Sequence, residues 1–464
     1  MQNRRDFLKV LAGAGAACAA SGCATKTGWP FAGTQGSPMH RYAAAPIKDL
    51  KVGVVGIGSR GGAVLSRLAK LPNVTVTAVC DIFDNKTSWA KGRLGELKKP
   101  IPKAYVGPEE YKRLCDDPNV DAVYNTTPWD LHVPVQLYAM RAGKHVLTEV
   151  PSAFTVDECW ELVETSEATK RHCMQLENCC YGEIEMLTFN LAKLGMLGEL
   201  VHGEGAYIHD LRCMCSTRER DTEGWRYAYN RDHAGNAYPT HGLVPLCLTM
   251  DVNRGDKLDY LVSLDSKQAN FKAFMEAKLR ADHPRRKDKI AMGDMNSTLI
   301  KTAHGKSILV QHDVASPRPY SRIQFLSGTK GAICDYPYRV VFEKEPGSGA
   351  HEWFGGQQAE EIRKKYRHPL WNTIGELAKR VGGHGGMDFI MDARWVYCLQ
   401  QGLPLDMDVY DLAATSCICE LTEKSANNRS RAMEIPDFTR GAWRTNKPMD
   451  IIDIDLNRFG VAKA

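Results

Sequence analysis

No H-E-x-x-H segment and no zinc-ribbon spacing of cysteines occurs in these 464 residues. Their absence removes the usual metalloprotease and structural-zinc patterns, and no metal is expected. Charge of one sign is missing too: 60 Lys and Arg stand against 55 Asp and Glu, a formal +5. That balance offers no field for nucleic acid, and none is expected as a partner. The basic run Arg280 to Lys289 is broken by Asp and Pro and reads as a solvated loop. After the first twenty residues no stretch is apolar enough to cross a bilayer, so the only membrane contact expected is through a lipid. Internal repeats and long low-complexity stretches are lacking as well, which leaves length enough for two or three domains with full cores.

What is present begins with a leader. Asn3-Arg4-Arg5-Asp6-Phe7-Leu8-Lys9 resembles a twin-arginine signal, an address read by a machinery that exports folded proteins. The apolar run Val10 to Ala20 falls short of the ~20 residues of a spanning helix. Ala20-Ser21-Gly22-Cys23 resembles a lipoprotein box, which would acylate Cys23; an ordinary signal peptide with an incidental Cys23 is the alternative. A bacterial periplasmic or cell-surface lipoprotein is therefore expected. The expected divisions are 1–22 signal, 23–46 tether, 47–180 cofactor domain and 181–464 substrate domain.

Fifteen cysteines would suggest disulfides in an exported chain, yet Cys80, Cys115, Cys247 and Cys398 sit singly in apolar stretches. Folding in a reducing cytoplasm before export predicts free, buried thiols instead.

Leu50 to Val55 reads as a buried strand, followed by Gly56-Ile57-Gly58-Ser59-Arg60-Gly61 and a helix through Lys70. A second strand, Val74 to Cys80, ends on Asp81, twenty residues past Gly61. With strands predicted at Asp121 to Thr126, His145 to Glu149 and Cys173 to Asn178, the rhythm is that of a Rossmann domain, a doubly wound parallel sheet. In this setting the glycines fit a dinucleotide: Gly56 for the turn, Gly58 for the pyrophosphate's approach, Gly61 for helix–strand packing. Asp81 would accept from the ribose hydroxyls and repel a 2′-phosphate, so NAD is the expected cofactor.

From about Gly195 the runs Leu200 to Asp210, Lys257 to Asp265, Asn296 to Val314, Ser321 to Pro337 and Tyr338 to Lys344 are strand-like without intervening helices. They predict a second α/β domain with an open, largely antiparallel sheet. Helical patterns return at Gly385 to Gly402 and Val409 to Arg429, and "GGHGG" (382–386) reads as a flexible loop. His202, His209, His233 and His304 read as surface or structural.

"HVLTEVPSA" (145–153) after "NTTPWDLHVPVQLYAMRAGKHV" resembles the glucose–fructose oxidoreductase, inositol dehydrogenase and MocA family. Usual members carry Glu-Lys-Pro where this chain has Glu149-Val150-Pro151, so the lysine of ordinary sugar dehydrogenases is missing. "WDLH" (129–132), "ENCCYGE" (177–183), "GWRYAYNRDHAGNAYPTHGLVP" (224–245) and "SPRPYSRIQF" (316–325) together resemble glycoside hydrolase family 109, NAD-dependent α-N-acetylgalactosaminidases often with a twin-arginine leader. The resemblance implies NAD contacts from Ser59, Arg60, Asp81, Trp129, Asp130, Leu131, His132, Glu149, Val150 and Asn178. It implies sugar contacts from Tyr207, Arg226, Tyr238, Pro239, Thr240, His241 and Tyr320. Chemistry would fall to Glu149, Tyr181, Tyr238, His241 and Tyr320. A homodimer through the exposed face of the second sheet rests on the same resemblance alone.

The implied reaction oxidises carbon 3 of the sugar, which acidifies the proton on carbon 2, eliminates the aglycone, adds water and returns the hydride with no net redox change. His241 is assigned acid/base work at the carbon 3 hydroxyl, Tyr181 the carbon 2 proton, and Tyr238 and Tyr320 positioning or proton donation, with shuttling if their pKa is lowered. Such a cycle explains why an exported enzyme can use NAD, which never has to leave. Two other readings stay open: an exported sugar oxidoreductase holding NAD tightly, and a lipid-anchored sugar-binding protein with a vestigial cofactor fold. Taken singly, Asp130 could cap the helix to Arg141, and Arg226 could pair with an acid such as Asp232 rather than touch sugar.

Overall fold

A computed structural model describes residues 38–216, 224–345 and 351–460. The leader and Cys23 lie outside the described residues. The described part of the expected tether is docked: Met39 N–H donates to the Tyr410 hydroxyl at 3.1 Å, and His40 pairs with Asp408 at 3.2 Å.

The first sheet has six parallel strands, β1 (Leu50–Val55), β2 (Val74–Asp81), β3 (Lys103–Val106), β4 (Ala122–Asn125), β5 (His145–Thr148) and β6 (Cys173–Gln175), in the order β3-β2-β1-β4-β5-β6. Near-continuous burial along β1, β4 and β5 is the mark of strands covered on both faces. β1 lies between β2 and β4, and the chain crosses to opposite sides of it, so a crevice opens beyond the carboxyl ends of β1 and β4. β3 was not predicted: it is an edge strand in which Tyr105 alone is buried.

The second sheet has eight strands, β7 (Leu200–Ile208), β8 (Leu258–Asp265), β9 (Asn296–Thr302), β10 (Ser307–Asp313), β11 (Phe325–Gly328), β12 (Gly331–Cys334), β13 (Arg339–Phe342) and β14 (Met433–Glu434). Their order is β13-β12-β11-β7-β10-β9-β8-β14, and only the β7–β10 pairing is parallel. Alternation decides the faces: Leu261, Ile300, Ile308 and Val310 are buried, while Tyr260, Leu264 and Leu299 stay exposed.

The helix Thr240–Thr249 lies across β7 with unusual closeness. A Cβ on Gly205 would stand 2.1 Å from the Gly242 carbonyl oxygen, so backbone meets backbone at this crossing. Tyr207 lies on the strand and His241 on the helix of this crossing. The helix Met387–Gln401, from the far end of the chain, packs with β1 and its helix Ser59–Leu68 in one core of Val52, Val54, Leu65, Ile390 and Val396. Its buried charges are paired: Asp392 accepts from Arg67 and Tyr124, and Arg394 forks onto Asp406. No described helix is long and apolar enough to cross a membrane. All thirteen described cysteines are free, and only Cys213 is exposed.

Candidate active site

At the crevice the glycine loop has the geometry a dinucleotide needs. Gly56 takes φ +88°, and a Cβ there would come within 2.8 Å of the Thr126 carbonyl. A Cβ on Gly61 would meet the Gly56 oxygen at 1.9 Å, whereas Gly58 has nothing within 4 Å. The backbone is thus locked at two glycines and open at the third, where the helix Ser59–Leu68 begins with no side-chain cap. Asp81 closes β2 and accepts from Ile57 N–H at 2.7 Å and Phe83 N–H at 3.0 Å, which fixes its carboxylate at the rim. These residues fit NAD. Asp81→Ala is expected to weaken NAD about 10–100-fold, the worth of one or two charge-assisted hydrogen bonds, and to narrow its advantage over NADP; titration of both nucleotides checks it.

Arg60 turns away from the loop into a network of acids. Its Nε donates to Glu149 at 2.6 Å and its Nη1 to Asp388 at 2.6 Å. Asp388 also accepts from Asn178 Nδ2 at 2.6 Å and stands 3.0 Å from His384 Nδ1. Burial pushes the Glu149 carboxyl up, and the Arg60 guanidinium offsets part of that. At Asp388 burial pushes the same way, but His384, Arg60 and Arg67 outweigh it and hold the group well below the carboxylate range. Asp388 had no sequence signal of its own. The glycine-rich segment expected as a flexible loop is what delivers it: Gly382, Gly383, Gly385 and Gly386 all have positive φ and turn the chain into the helix Met387–Gln401.

A cluster of rings forms the other wall. Tyr207, from β7, lies 4.5 Å from the Tyr238 ring and meets the His241 ring edge-on at 5.3 Å. Tyr238 and His241 are themselves edge-on at 4.8 Å, with Pro239 capping the helix that carries Thr240 and His241. Tyr320, 37% exposed, stands edge-on to Tyr207 at 6.3 Å, and its hydroxyl accepts from Arg322 at 3.1 Å. His209, expected to be a surface or structural residue, belongs here as well: its Nδ1 is 3.3 Å from the Tyr207 hydroxyl. The Arg226 guanidinium lies 5.2–5.4 Å from the rings of Trp129, Trp225 and Tyr238. Asp232 forks to Arg231. His241 Nδ1 is 2.7 Å from Glu177 Oε1, and Glu177 follows the carboxyl end of β6. That contact joins the ring cluster to the dinucleotide sheet.

A family model described as glycosyl hydrolase 109, C-terminal domain, matches residues 181–445. The chain belongs to glycosyl hydrolase family 109. It is a glycosidase of that family, and residues 50–176 match the model described as oxidoreductase family, NAD-binding Rossmann fold. A Bacteroides fragilis protein named alpha-N-acetylgalactosaminidase is 44% identical over 406 residues, 87% of this chain and 95% of its own. A glycosyl hydrolase family 109 protein of Solibacter usitatus is 43% identical over 454 residues, 96% of this chain and 99% of its own. Among solved structures, levoglucosan dehydrogenase with NADH and levoglucosan aligns at a TM-score of 0.64 and 18% identity, over 84% of this chain and 99% of its own, a likeness of fold.

Several expected residues of the family 109 enzyme stand apart from the cluster. Tyr181 is the clearest case: its hydroxyl donates to Asp406 at 2.9 Å, and its ring belongs to the core shared with the helix Met387–Gln401. Burial pushes that phenol far up, so the geometry assigns it packing rather than the carbon 2 proton. His132 is buried, its two nitrogens 2.7 and 3.0 Å from the carbonyls of Pro151 and Thr127, and burial brings it down to about 4. A neutral ring there has one N–H, so it donates to one of these carbonyls and braces the backbone around Val150, whose carbonyl accepts from Trp129 Nε1 at 3.3 Å. Asp130 is exposed and Leu131 half-buried in a short turn, Trp129–Leu131, and no side chain caps the helix His132–Arg141. Burial also pushes the phenols of Tyr238 and Tyr320 up, the reverse of what proton shuttling would need.

Proposed function

We propose that this enzyme hydrolyses terminal α-N-acetylgalactosaminides by redox-neutral chemistry at carbons 3 and 2, with elimination of the aglycone and re-addition of water. The supporting observation is the state of the carboxylates. A displacement glycosidase needs two of them facing the scissile bond, but Glu149 is tied to Arg60 and Glu177 to His241. What is left to meet a sugar is an imidazole among phenols beside a dinucleotide loop. The 44% identity to a protein named alpha-N-acetylgalactosaminidase supports the substrate.

NAD, when bound, supplies hydride transfer at carbon 3. Everything else falls to the chain. His241 takes the proton of the carbon 3 hydroxyl, a task suited to a residue type that titrates near neutrality. Val150 has no proton to offer where ordinary dehydrogenases of this fold use lysine. Tyr238 and Tyr320 remain protonated and serve as hydrogen-bond donors to the oxygen that gains charge as carbon 2 is deprotonated. Arg226, spread over three rings, adds positive charge on the same side.

Incubation with an aryl α-N-acetylgalactosaminide in D2O tests both parts. Aryl alcohol is expected, with deuterium at carbon 2 of the released sugar. No aryl alcohol rejects the substrate, and release without deuterium rejects the elimination.

A further inference from the structure

Glu177 was passed over in the sequence, and no step above uses it. It is fully buried. Its Oε1 accepts from Cys179 N–H at 3.0 Å and lies 2.7 Å from His241 Nδ1. Its Oε2 has no hydrogen-bond donor among the described residues. Burial pushes this carboxyl up, but the His241 ring and the Cys179 donors outweigh it, so the group stays ionised below the usual range. An ionised carboxylate only accepts hydrogen bonds, which places a proton on Nδ1 and leaves Nε2 as the lone-pair nitrogen. The rings of Tyr207 and Tyr238, both edge-on to the imidazole, restrict its swing.

We propose that Glu177 is a positioning residue: it holds His241 in the Nδ1–H tautomer, presents Nε2 to the substrate and balances the positive charge that forms when Nε2 takes a proton. The proton moves from the sugar hydroxyl to Nε2 and returns at re-reduction, and Glu177 stays ionised throughout. This inference rests on the reading of His241 as the acid/base group. A metal is the rival occupant, because the donor atoms of Glu177, Cys179 and His241 all lie within 4.8 Å of one another. Burial pushes the Cys179 thiol far up, which keeps its proton on and works against a cation cage.

Glu177→Gln keeps the volume and an acceptor for Cys179 N–H but removes the charge. In the NAD-loaded enzyme kcat should fall about 10²–10⁴-fold, the range seen when the carboxylate behind a catalytic histidine is neutralised, with KM and bound NAD little changed. Wild-type kcat in that variant would overturn the proposal. So would metal analysis that finds a stoichiometric divalent ion whose chelation costs the same factor. Nitrogen-15 spectra of the resting wild-type enzyme, with His241 assigned from its missing signal in His241→Gln, should show Nδ1–H. The Nε2–H tautomer would reject the dyad. That readout needs no turnover, so an enzyme inert on α-N-acetylgalactosaminides would sink the proposed function without deciding this one.

Discussion

Replacing His241 by alanine is expected to lower kcat for glycoside cleavage by about 10²–10⁴-fold, the contribution of a positioned acid/base group. The loss should appear in kcat and kcat/KM alike, because the ring acts on protons that move only during reaction. NAD should stay bound, since His241 has no part in the Arg60, Glu149 and Asp388 network. One further consequence separates this variant from a merely misfolded one. Without the imidazole the Glu177 carboxylate loses its partner at 2.7 Å in a fully buried position, so it is expected to bind a proton more readily and the variant to gain stability toward acid relative to wild type. The check is steady-state kinetics beside cofactor content and thermal unfolding as pH falls. Full activity in His241→Ala would remove the imidazole from the chemistry and with it the reading of the ring cluster.

The first sheet was legible because its signals are local. Strand, glycine turn, helix and Asp81 occupy about thirty consecutive residues, and each glycine answers a clash that can be read from backbone geometry. β3 was not legible: a four-residue edge strand with one buried side chain has no periodicity to find. In the second sheet alternation marked the strands but not their neighbours, since β7 pairs in parallel with β10 about a hundred residues away, across three α-helices and two strands. The direction of side chains was hidden in the same way. Asn178 and Tyr181 share one short turn, yet the amide reaches Asp388 and the phenol reaches Asp406, on separate segments of the chain. Adjacency in "NCCY" therefore implied a joint role that the turn does not permit. Glu177 and Asp388 were missed for a plainer reason. Their partners lie 64 residues off at His241 and 328 residues off at Arg60, and a lone acid has no spacing that announces it.

Asp388→Asn is expected to be the most damaging substitution to the fold around the cofactor. The carboxylate is 1% exposed and faces Arg60 at 2.6 Å, Arg67 at 3.5 Å, Asn178 at 2.6 Å and His384 at 3.0 Å. Neutralising it leaves two guanidiniums in one pocket with Glu149 and Asp392 as their remaining acids. Breaking a buried pair from one side costs about 3–5 kcal/mol, and the damage falls on Arg60, which adjoins the turn that receives the pyrophosphate. The proposed cycle ends with its cofactor unchanged and so depends on keeping it; Asp388→Asn should therefore purify with less NAD per chain and regain activity when NAD is added in excess. The pH dependence has a defined sign. Asp388 is held below its ordinary range in the folded enzyme, so its stabilisation is complete above the unfolded-state value and drains away as pH falls toward the folded one. The gap in thermal stability between wild type and Asp388→Asn should therefore be widest near neutrality and shrink in acid. A variant that melts with wild type at neutral pH and keeps its NAD would show that Arg60 is held by Glu149 alone.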